Sequence, residues 1–298
     1  MTIAQSLKLA IIKLTADRLK FPHLEAEILL SKILKKPREF ILAHSERKLT
    51  KSQIVNYKLL IKKKLKHMPL AYITQEKEFY GLKFKVNKNV LIPRPETELM
   101  VEEALKLATR DSQPAALIDV GTGSGCIIIA LAKLLKQKSK NKNFIGIDIS
   151  EKALAVARQN AKLHDFAKNI NFFKGDLLKP IINSKLLLLN SNLIILANLP
   201  YLTPAQIKNS PTIKYEPSLA LSGGKNGLEL YKKLFKQINR LINNTKYEMP
   251  NTLFMLCEIN PGQTVKIKQL IKRELPQSAC QIKKDLAGLN RLIIIKII

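Results

Sequence analysis

Two stretches of this chain carry residue types that can do chemistry together: Asp119-Val-Gly-Thr-Gly-Ser-Gly-Cys126 and Leu193-Ile-Ile-Leu-Ala-Asn-Leu-Pro-Tyr201. In the first, Gly121, Thr122, Gly123, Ser124 and Gly125 lie between the apolar run 115–120 and the amphipathic run 126–135, a pattern of strand, tight turn and helix. Glycines permit the turn and a close approach of backbone to a ligand. The first N–H groups of the helix have no internal partner and face whatever binds there. Such a turn alone also serves as a plain tight turn, so its companions matter. Asp148 closes the next apolar run, Phe144-Ile-Gly-Ile-Asp148, where an acid accepts hydrogen bonds from both hydroxyls of a ribose. Asp176 and Leu177 follow the run 170–174; there an Asp either takes an adenine amino group, with Leu177 against the ring, or caps a loop. Together these residues point to an adenosine-containing cofactor. The second stretch reads as another buried strand ending in an amide, Asn198, then Leu199, Pro200 and an aromatic ring, Tyr201. Ligands of open α/β sheets sit beyond the carboxyl ends of strands at the topological switch point, so one cleft can hold both stretches.

The elements that must position these residues follow from periodicity. Strands are expected at 116–120, 143–148, 170–174, 193–197, 252–258, 280–285 and 291–297, and helices at 124–136, 151–164, 227–243 and 263–274. Alternating strand and helix implies a mainly parallel sheet covered on both faces; the last two strands, separated by Gly288 and its neighbours, form an antiparallel pair. Ahead of this, residues 2 to about 66 contain no glycine and show helical spacing (Leu7, Ile11, Leu14; Leu24, Ile28, Leu29), with an interruption at Pro37, an N-cap at Thr50 and an end at Pro69. Glu76 to Val86 alternates apolar and charged residues about Gly81, a hairpin signature. Leu91-Ile-Pro-Arg-Pro-Glu-Thr-Glu98 is too proline-rich for regular structure and leads into a helix from about Thr97 to Thr109. Within it, Arg94 beside Glu96 and Glu98 is either a salt-bridged linker or one wall of a site. The division expected is a helical domain at 1–70, a β-hairpin linker at 71–95 and a larger α/β domain at 96–298.

Composition narrows the class. The chain has 298 residues, 46% of them hydrophobic, enough for a large core. No apolar run is long enough to cross a bilayer, and the N-terminus carries Lys8 and Lys13 through an amphipathic pattern rather than a signal core, so a cytoplasmic location with no membrane association is the expectation. Cys126, Cys257 and Cys280 are scattered, which indicates neither a disulfide framework nor a zinc site and suggests core packing for all three. His23, His44, His67 and His164 are isolated, and no metal is expected. The formal charge is +28, with 20 basic against 7 acidic residues up to residue 92. A field of this sign suits RNA or a ribonucleoprotein, although a general lysine bias gives the same number. The run Lys62-Lys63-Lys64 reads as a solvated helix face or as a contact to a phosphate backbone.

Asn198-Leu-Pro-Tyr201 resembles the Asn/Asp-Pro-Pro-Tyr/Phe motif of class I S-adenosylmethionine-dependent methyltransferases that modify a planar nitrogen. An amide nitrogen is a poor nucleophile because its lone pair is delocalised into the carbonyl. Accepting hydrogen bonds from its two N–H groups, by the Asn198 side-chain oxygen and the Leu199 carbonyl, returns density to nitrogen. Pro200 stiffens the loop and Tyr201 stacks on the planar group. Over nearly its whole length the chain is similar to the bacterial peptide chain release factor glutamine N5-methyltransferases. The likeness runs through Pro69-Leu-Ala-Tyr72, the Phe79–Val86 hairpin, Ile92-Pro-Arg-Pro-Glu-Thr-Glu98, the glycine turn, Asp148, Asn198–Tyr201, Tyr215-Glu-Pro-Ser-Leu-Ala-Leu221, Gly223–Gly227 with Leu230-Tyr231, Glu258-Ile-Asn-Pro-Gly-Gln263 and Asp285-Leu-Ala-Gly-Leu-Asn-Arg291.

That resemblance implies a Rossmann-like α/β fold. Its seven-stranded, mostly parallel sheet ends in an antiparallel last strand and is preceded by a small helical domain that grips the substrate protein. It implies S-adenosyl-L-methionine as cofactor and, as reaction, methylation of the glutamine in the Gly-Gly-Gln motif of peptide chain release factors, by a monomer. Gly121, Thr122, Gly123, Ser124, Gly125, Asp148, Asp176, Leu177 and Asn198 would hold the cofactor; Asn198, Leu199, Pro200 and Tyr201 would hold and activate the glutamine, with the segment Arg94-Pro95-Glu96-Thr97 bordering its channel. The chain departs from the pattern at Leu199, where proline is usual; Asn-Leu-Pro-Tyr is the form found in ribosomal RNA adenine dimethyltransferases. It also departs at Leu177, often aromatic, and in a basic insertion around 183–190. Rival readings are a ribosomal-protein glutamine methyltransferase, an rRNA adenine N6-methyltransferase and a non-catalytic ribosome-associated binding module.

Overall fold

The computed structural model of the protein describes residues 1–110, 115–136, 142–183, 192–210, 213–243 and 252–297; the expected insertion around 183–190 lies, apart from residue 183, outside them. The chain divides into two compact units, one formed by Met1–Glu76 with Pro211–Tyr215 and the other by Lys77–Ser210 with Glu216–Ile298.

The first unit is helical: α1 (Ile3–Ala16), α2 (Pro22–Leu34), α3 (Arg38–Ala43), α4 (Lys51–Leu65) and α5 (Leu70–Thr74). Thr2 and Thr50 each open a helix with a capping box, accepting from the backbone N–H of Gln5 and Gln53 while those side chains return the bond. The helical spacing of the apolar residues places Ile3, Leu14, Leu29, Leu30, Ile41 and Ile61 in one core. Tyr57 joins it and donates its buried hydroxyl to the Ala26 carbonyl at 3.0 Å. The lysine run at 62–64 is not one solvated face. Lys62 and Lys63 are exposed, but Lys64 is buried with its ammonium 2.9 Å from Glu25 Oε1. Successive helix positions are about 100° apart, so three in a row cannot all face water. Pro69 stops α4's continuation but immediately precedes α5 rather than ending the unit.

The second unit opens with the hairpin of β1 (Glu76–Phe79) and β2 (Leu82–Lys85). Tyr80 and Gly81, at the turn, both have left-handed backbone, the geometry of a tight two-residue connection. Phe79 and Phe84 pack edge to face at 6.2 Å and are buried with Met100 and Val101 of α6 (Glu98–Arg110). Then strand and helix alternate: β3 (Ala115–Val120), α7 (Cys126–Lys136), β4 (Lys142–Asp148), α8 (Glu151–Leu163), β5 (Ile170–Lys174), α9 (Lys179–Asn183), β6 (Asn192–Ala197), α10 (Pro204–Lys208), α11 (Glu229–Ile242), β7 (Leu253–Glu258), α12 (Thr264–Glu274), β8 (Ser278–Lys284) and β9 (Asn290–Ile297). Among the described residues the large sheet has seven strands in the order β5-β4-β3-β6-β7-β9-β8. β3 to β7 pair in parallel, and the last strand, β9, runs antiparallel between β7 and β8. One face carries the cluster that includes α6, α7 and Ala161 of α8; the other carries Tyr231, Phe235 and Ile238 of α11 with Ile267 and Leu270 of α12. β6 is buried at every position, as a central parallel strand demands.

Register matters for the site. Val120 pairs with both Ile147 and Ala197, so β3, β4 and β6 end level. The chain leaves β3 toward β4 and β5 on one side and returns to β6 on the other, which places the switch point at the end of β3. Helix α11 begins at Glu229, two residues later than the periodicity suggests, because Gly227 takes φ +72 and lies outside it. The cysteines divide: Cys126 and Cys257 are buried, but Cys280 is exposed, since β8 is the edge strand and half covered.

Two buried polar residues tie this unit together. Asn160 of α8 accepts the Lys85 N–H at 2.8 Å and donates to the carbonyls of Lys85 and Ser124 at 3.0 and 2.9 Å, joining hairpin to glycine turn. Asp119 of β3 is fully buried and accepts the Thr122 hydroxyl at 2.7 Å; burial pushes its carboxyl up to about 7. Asn160→Ala strands three backbone groups and should destabilise the protein by about 2–4 kcal/mol, read from urea unfolding. The folded carboxyl of Asp119 titrates well above an unfolded aspartate at about 3.9, so its stabilising contribution is complete below that value and disappears as pH rises through about 7. Asp119→Asn should therefore flatten the fall of the urea midpoint between about pH 4 and about pH 7; a slope equal to that of the wild type would exclude this source.

Candidate active site

At the level ends of β3, β4 and β6 lies a cavity of about 300 Å³ lined by Gly121, Thr122, Gly123, Ser124, Asp148, Asp176, Leu177, Asn198, Leu199, Pro200 and Arg94, among others. Residue type and spacing single out all of these, in five separate segments, and the fold brings them to one place. Three further candidates from the sequence do not line it. Gly125 faces α8: a Cβ there would meet Ile129 Cδ1 at 2.9 Å and Ala157 Cβ at 3.2 Å, so this glycine lets two helices approach. Glu96 is exposed. Tyr201 sits half-buried, its hydroxyl 3.4 Å from Glu258 Oε1. Arg94 answers to both of its sequence readings. It lines the cavity, and its guanidinium is ion-paired, but to the distant and buried Glu216 rather than to Glu96 or Glu98. Glu216 also accepts the Ile92 N–H at 3.1 Å, which fixes the Pro-Arg-Pro segment at the cavity edge.

The cofactor side is well ordered by hydrogen bonds. Asp148 accepts the Gly123 N–H on Oδ2 at 2.9 Å and the Ser150 N–H on Oδ1 at 2.8 Å. Burial raises its pKa, and these backbone donors work against that rise. A carboxylate has about four acceptor sites, so capacity remains for a hydroxyl of a ribose. Gly121, at φ +76, is pressed by its neighbour: a Cβ would lie 3.1 Å from Leu199 Cδ2. Leucine at the position usually held by proline thus packs its side chain directly on the glycine turn. Asp176 is held by Lys233 and Lys179 at 2.6 and 3.1 Å; burial opposes its charge, but the two ammonium groups outweigh it and keep the carboxyl below its usual range. Leu177 is buried with φ +57, a strained backbone for a branched residue. Gln237 of α11 imposes it, accepting the Leu178 N–H at 2.8 Å and donating to the Asp176 carbonyl at 3.3 Å. The donor set and a cavity at the lower end of ligand-pocket volumes fit S-adenosyl-L-methionine, which Asp148, Asp176 and Leu177 would help to hold.

The acceptor side rests on Thr97, from the segment expected to border the substrate channel, and on Glu258, Tyr231 and Gln263, which the sequence did not mark for a role. Asn198 donates Nδ2 to Thr97 Oγ1 at 3.1 Å and to Glu258 Oε2 at 3.0 Å; Thr97 in turn donates to Glu258 Oε2 at 2.6 Å. Tyr231, fully buried, accepts the Leu199 N–H at 3.3 Å, and its hydroxyl lies 3.0 Å from the Ala197 carbonyl and within bonding reach of the Glu258 carbonyl. Gln263 donates to the carbonyls of Tyr201 and Gly227 at 3.0 and 3.1 Å. The signal was present: Glu258, Gln263 and Tyr231 lie in stretches that carried the resemblance, and Glu258 is an acid closing an apolar strand, as Asp148 is.

Comparison with known proteins agrees with this architecture. A methyltransferase domain model matches residues 111–287 and a PrmC N-terminal domain model matches residues 5–74. The release factor glutamine methyltransferase of Buchnera aphidicola is 37% identical over 92% of this chain and 91% of its own length; that of Coxiella burnetii is 34% identical over 92% of each. Among solved structures, the hMettl16 catalytic domain in complex with the MAT2A 3'UTR hairpin 6 shares the fold, with a TM-score of 0.53 at 15% identity over 76% of this chain and 79% of that one. No described helix is long and apolar enough to cross a membrane. By identity and coverage, the chain belongs to the release factor glutamine methyltransferase family.

Proposed function

We propose that this protein methylates the side-chain amide nitrogen of the glutamine in the Gly-Gly-Gln motif of a peptide chain release factor. The observation that carries the reading is the state of Asn198. Its two N–H groups are committed to Thr97 and Glu258, so its oxygen is the end left to accept, in the same cavity as Gly123 and Asp148.

S-adenosyl-L-methionine, when bound, would supply a methyl group on a sulfonium, its transfer to the amide nitrogen being balanced by release of the thioether and loss of one amide proton to solvent. The chain's own residues do the rest. Asn198 Oδ1 and the Leu199 carbonyl accept from the two N–H groups of the glutamine amide, which holds the nitrogen lone pair toward the donor and returns electron density to it. Tyr231 anchors the Leu199 N–H, and Pro200 restricts the loop, so the acceptors keep their spacing through the reaction. Leu199 replaces a proline without loss of the backbone acceptor. Leu219, Ala220 and Leu230 add apolar wall that limits water.

The rRNA adenine reading draws on Leu199 and on the charge of +28, which also supports a ribosome-proximal setting. The N-terminal domain match and the curated relatives favour the protein substrate.

Incubation with labelled cofactor and release factor, followed by peptide mass spectrometry, should place the label on the Gly-Gly-Gln glutamine; label on ribosomal RNA or a ribosomal protein instead would reject the reading. Asn198→Ala should lower turnover by about two to three orders of magnitude, while cofactor affinity by calorimetry falls far less. Gln237→Ala, which releases the backbone on both sides of Leu177, should weaken cofactor binding by about tenfold with little change in turnover at saturation. Unchanged affinity would show that the backbone of Leu177 needs no such restraint.

A further inference from the structure

We propose that Glu258 is a positioning residue for the reaction: as a carboxylate it accepts the Asn198 amide N–H and so keeps the Asn198 oxygen turned to the cavity, and on protonation it releases that orientation. The inference deepens the function proposed above and rests on it for its kinetic test.

Asparagine has two nearly isosteric ends, and its amide is useful here only if oxygen, not nitrogen, meets the substrate. Nothing in the shape of Asn198 selects one end. The selection comes from behind. Glu258 is 2% exposed, and its Oε2 receives two donors, Asn198 Nδ2 at 3.0 Å and the Thr97 hydroxyl at 2.6 Å, while the Tyr201 hydroxyl approaches Oε1 at 3.4 Å. An ionised carboxylate only accepts, so an oxygen of Asn198 turned toward it would be repelled. Thr97 spends its one proton on Glu258 and offers its lone pair to the same Nδ2, which reinforces the choice. A protonated Glu258 is different: it has a proton to give, and the acceptors within reach are the Thr97 hydroxyl and, after a flip, the Asn198 oxygen; a Thr97 that accepts is itself free to donate to that oxygen. The flipped amide presents N–H to the substrate amide and no longer accepts.

The surroundings place this change in an accessible range. Burial pushes the Glu258 carboxyl up to about 7, against the opposing pull of the Thr97 hydrogen bond and of Arg291 on β9. Glu96, from the turn before α6, raises it further, and the Tyr201 hydrogen bond lowers it. From α11, the Tyr231 hydroxyl meets the backbone carbonyl of Glu258, not its carboxylate. Arg94, whose charge acts on Tyr201, is itself neutralised by Glu216. The folded carboxyl is thus raised, and the active, ionised form is lost as pH falls through about 7.

Three variants and three readouts test this. In wild-type protein, turnover at saturating substrates should fall about tenfold per pH unit on the acid side of the Glu258 titration. Glu258→Gln still offers an oxygen to Asn198; it should keep turnover within about tenfold of wild type and lose that acid limb. Glu258→Leu keeps the volume but removes the acceptor, and turnover should fall about a hundredfold with cofactor affinity held within about threefold. Asn198→Ala identifies the Asn198 side-chain NH₂ signal in a proton–nitrogen correlation spectrum, recorded with no substrate present. That signal should shift with a midpoint near 7 in wild type and stay still in Glu258→Gln. A folded, cofactor-binding Glu258→Leu protein turning over at the wild-type rate, or a wild-type signal that does not move between about pH 6 and about pH 8, would overturn the proposal. A wild-type enzyme that leaves the release factor unmethylated would instead defeat the substrate reading, while the spectrum still decides the role of Glu258.

Discussion

The site exists because three parallel strands stop at the same height. With Val120 paired to Ile147 on one side and Ala197 on the other, the residues just beyond each pairing, Gly121, Asp148 and Asn198, emerge side by side. A slip of one residue in either pairing would turn every side chain of that strand to the opposite face and move its terminal group by a few ångströms, about 3.3 Å per residue. Register is in turn secured by burial. β6 is covered on both faces throughout, and β3, β4 and β7 contribute Ile118, Ile145 and Met255 to one packed cluster. The geometry of the chemistry is therefore a product of core packing some distance beneath it.

Above the strand ends, a second layer of contacts converts proximity into orientation. On the cofactor side, Gln237 holds the backbone about Leu177 and the Gly123 and Ser150 N–H groups aim Asp148. On the acceptor side, Tyr231 and Glu258 hold the Asn198–Leu199 segment from below. Gln237, Tyr231 and Glu258 all reach the loops from elements later in the chain, α11 and β7. The loop after β6 thereby borrows its rigidity from α11 and β7, although its own sequence contains little that would stiffen it beyond Pro200.

Much of this was legible from residue pattern. The seven strands and the main helices could be placed because buried parallel strands are continuous apolar runs and the helices are amphipathic. The glycine turn, Asp148, Asp176 and Asn198 stood out because polar or small residues at the ends of such runs are informative. What escaped had a common cause. Gln237 and Asn160 are ordinary polar residues within helices, and only burial reveals that each is fully engaged. Glu216 pairs with Arg94 across 122 positions of sequence, beyond any local pattern. The lysine run and Cys280 misled for the opposite reason: their residue types suggested a general environment, whereas a helix face and a sheet edge decided the particular one.

The close seating of Leu199 against Gly121 has a consequence for how this protein can change. The loop that would hold the methyl acceptor and the turn that would hold the donor share one van der Waals boundary, where the bulk of one residue fills the hollow left by the other. A larger side chain at 121 would evict Leu199, and a smaller one at 199 would leave a gap beside the donor. The two halves of the reaction are thus mechanically matched parts, and neither can be refitted for a new partner molecule without machining the other.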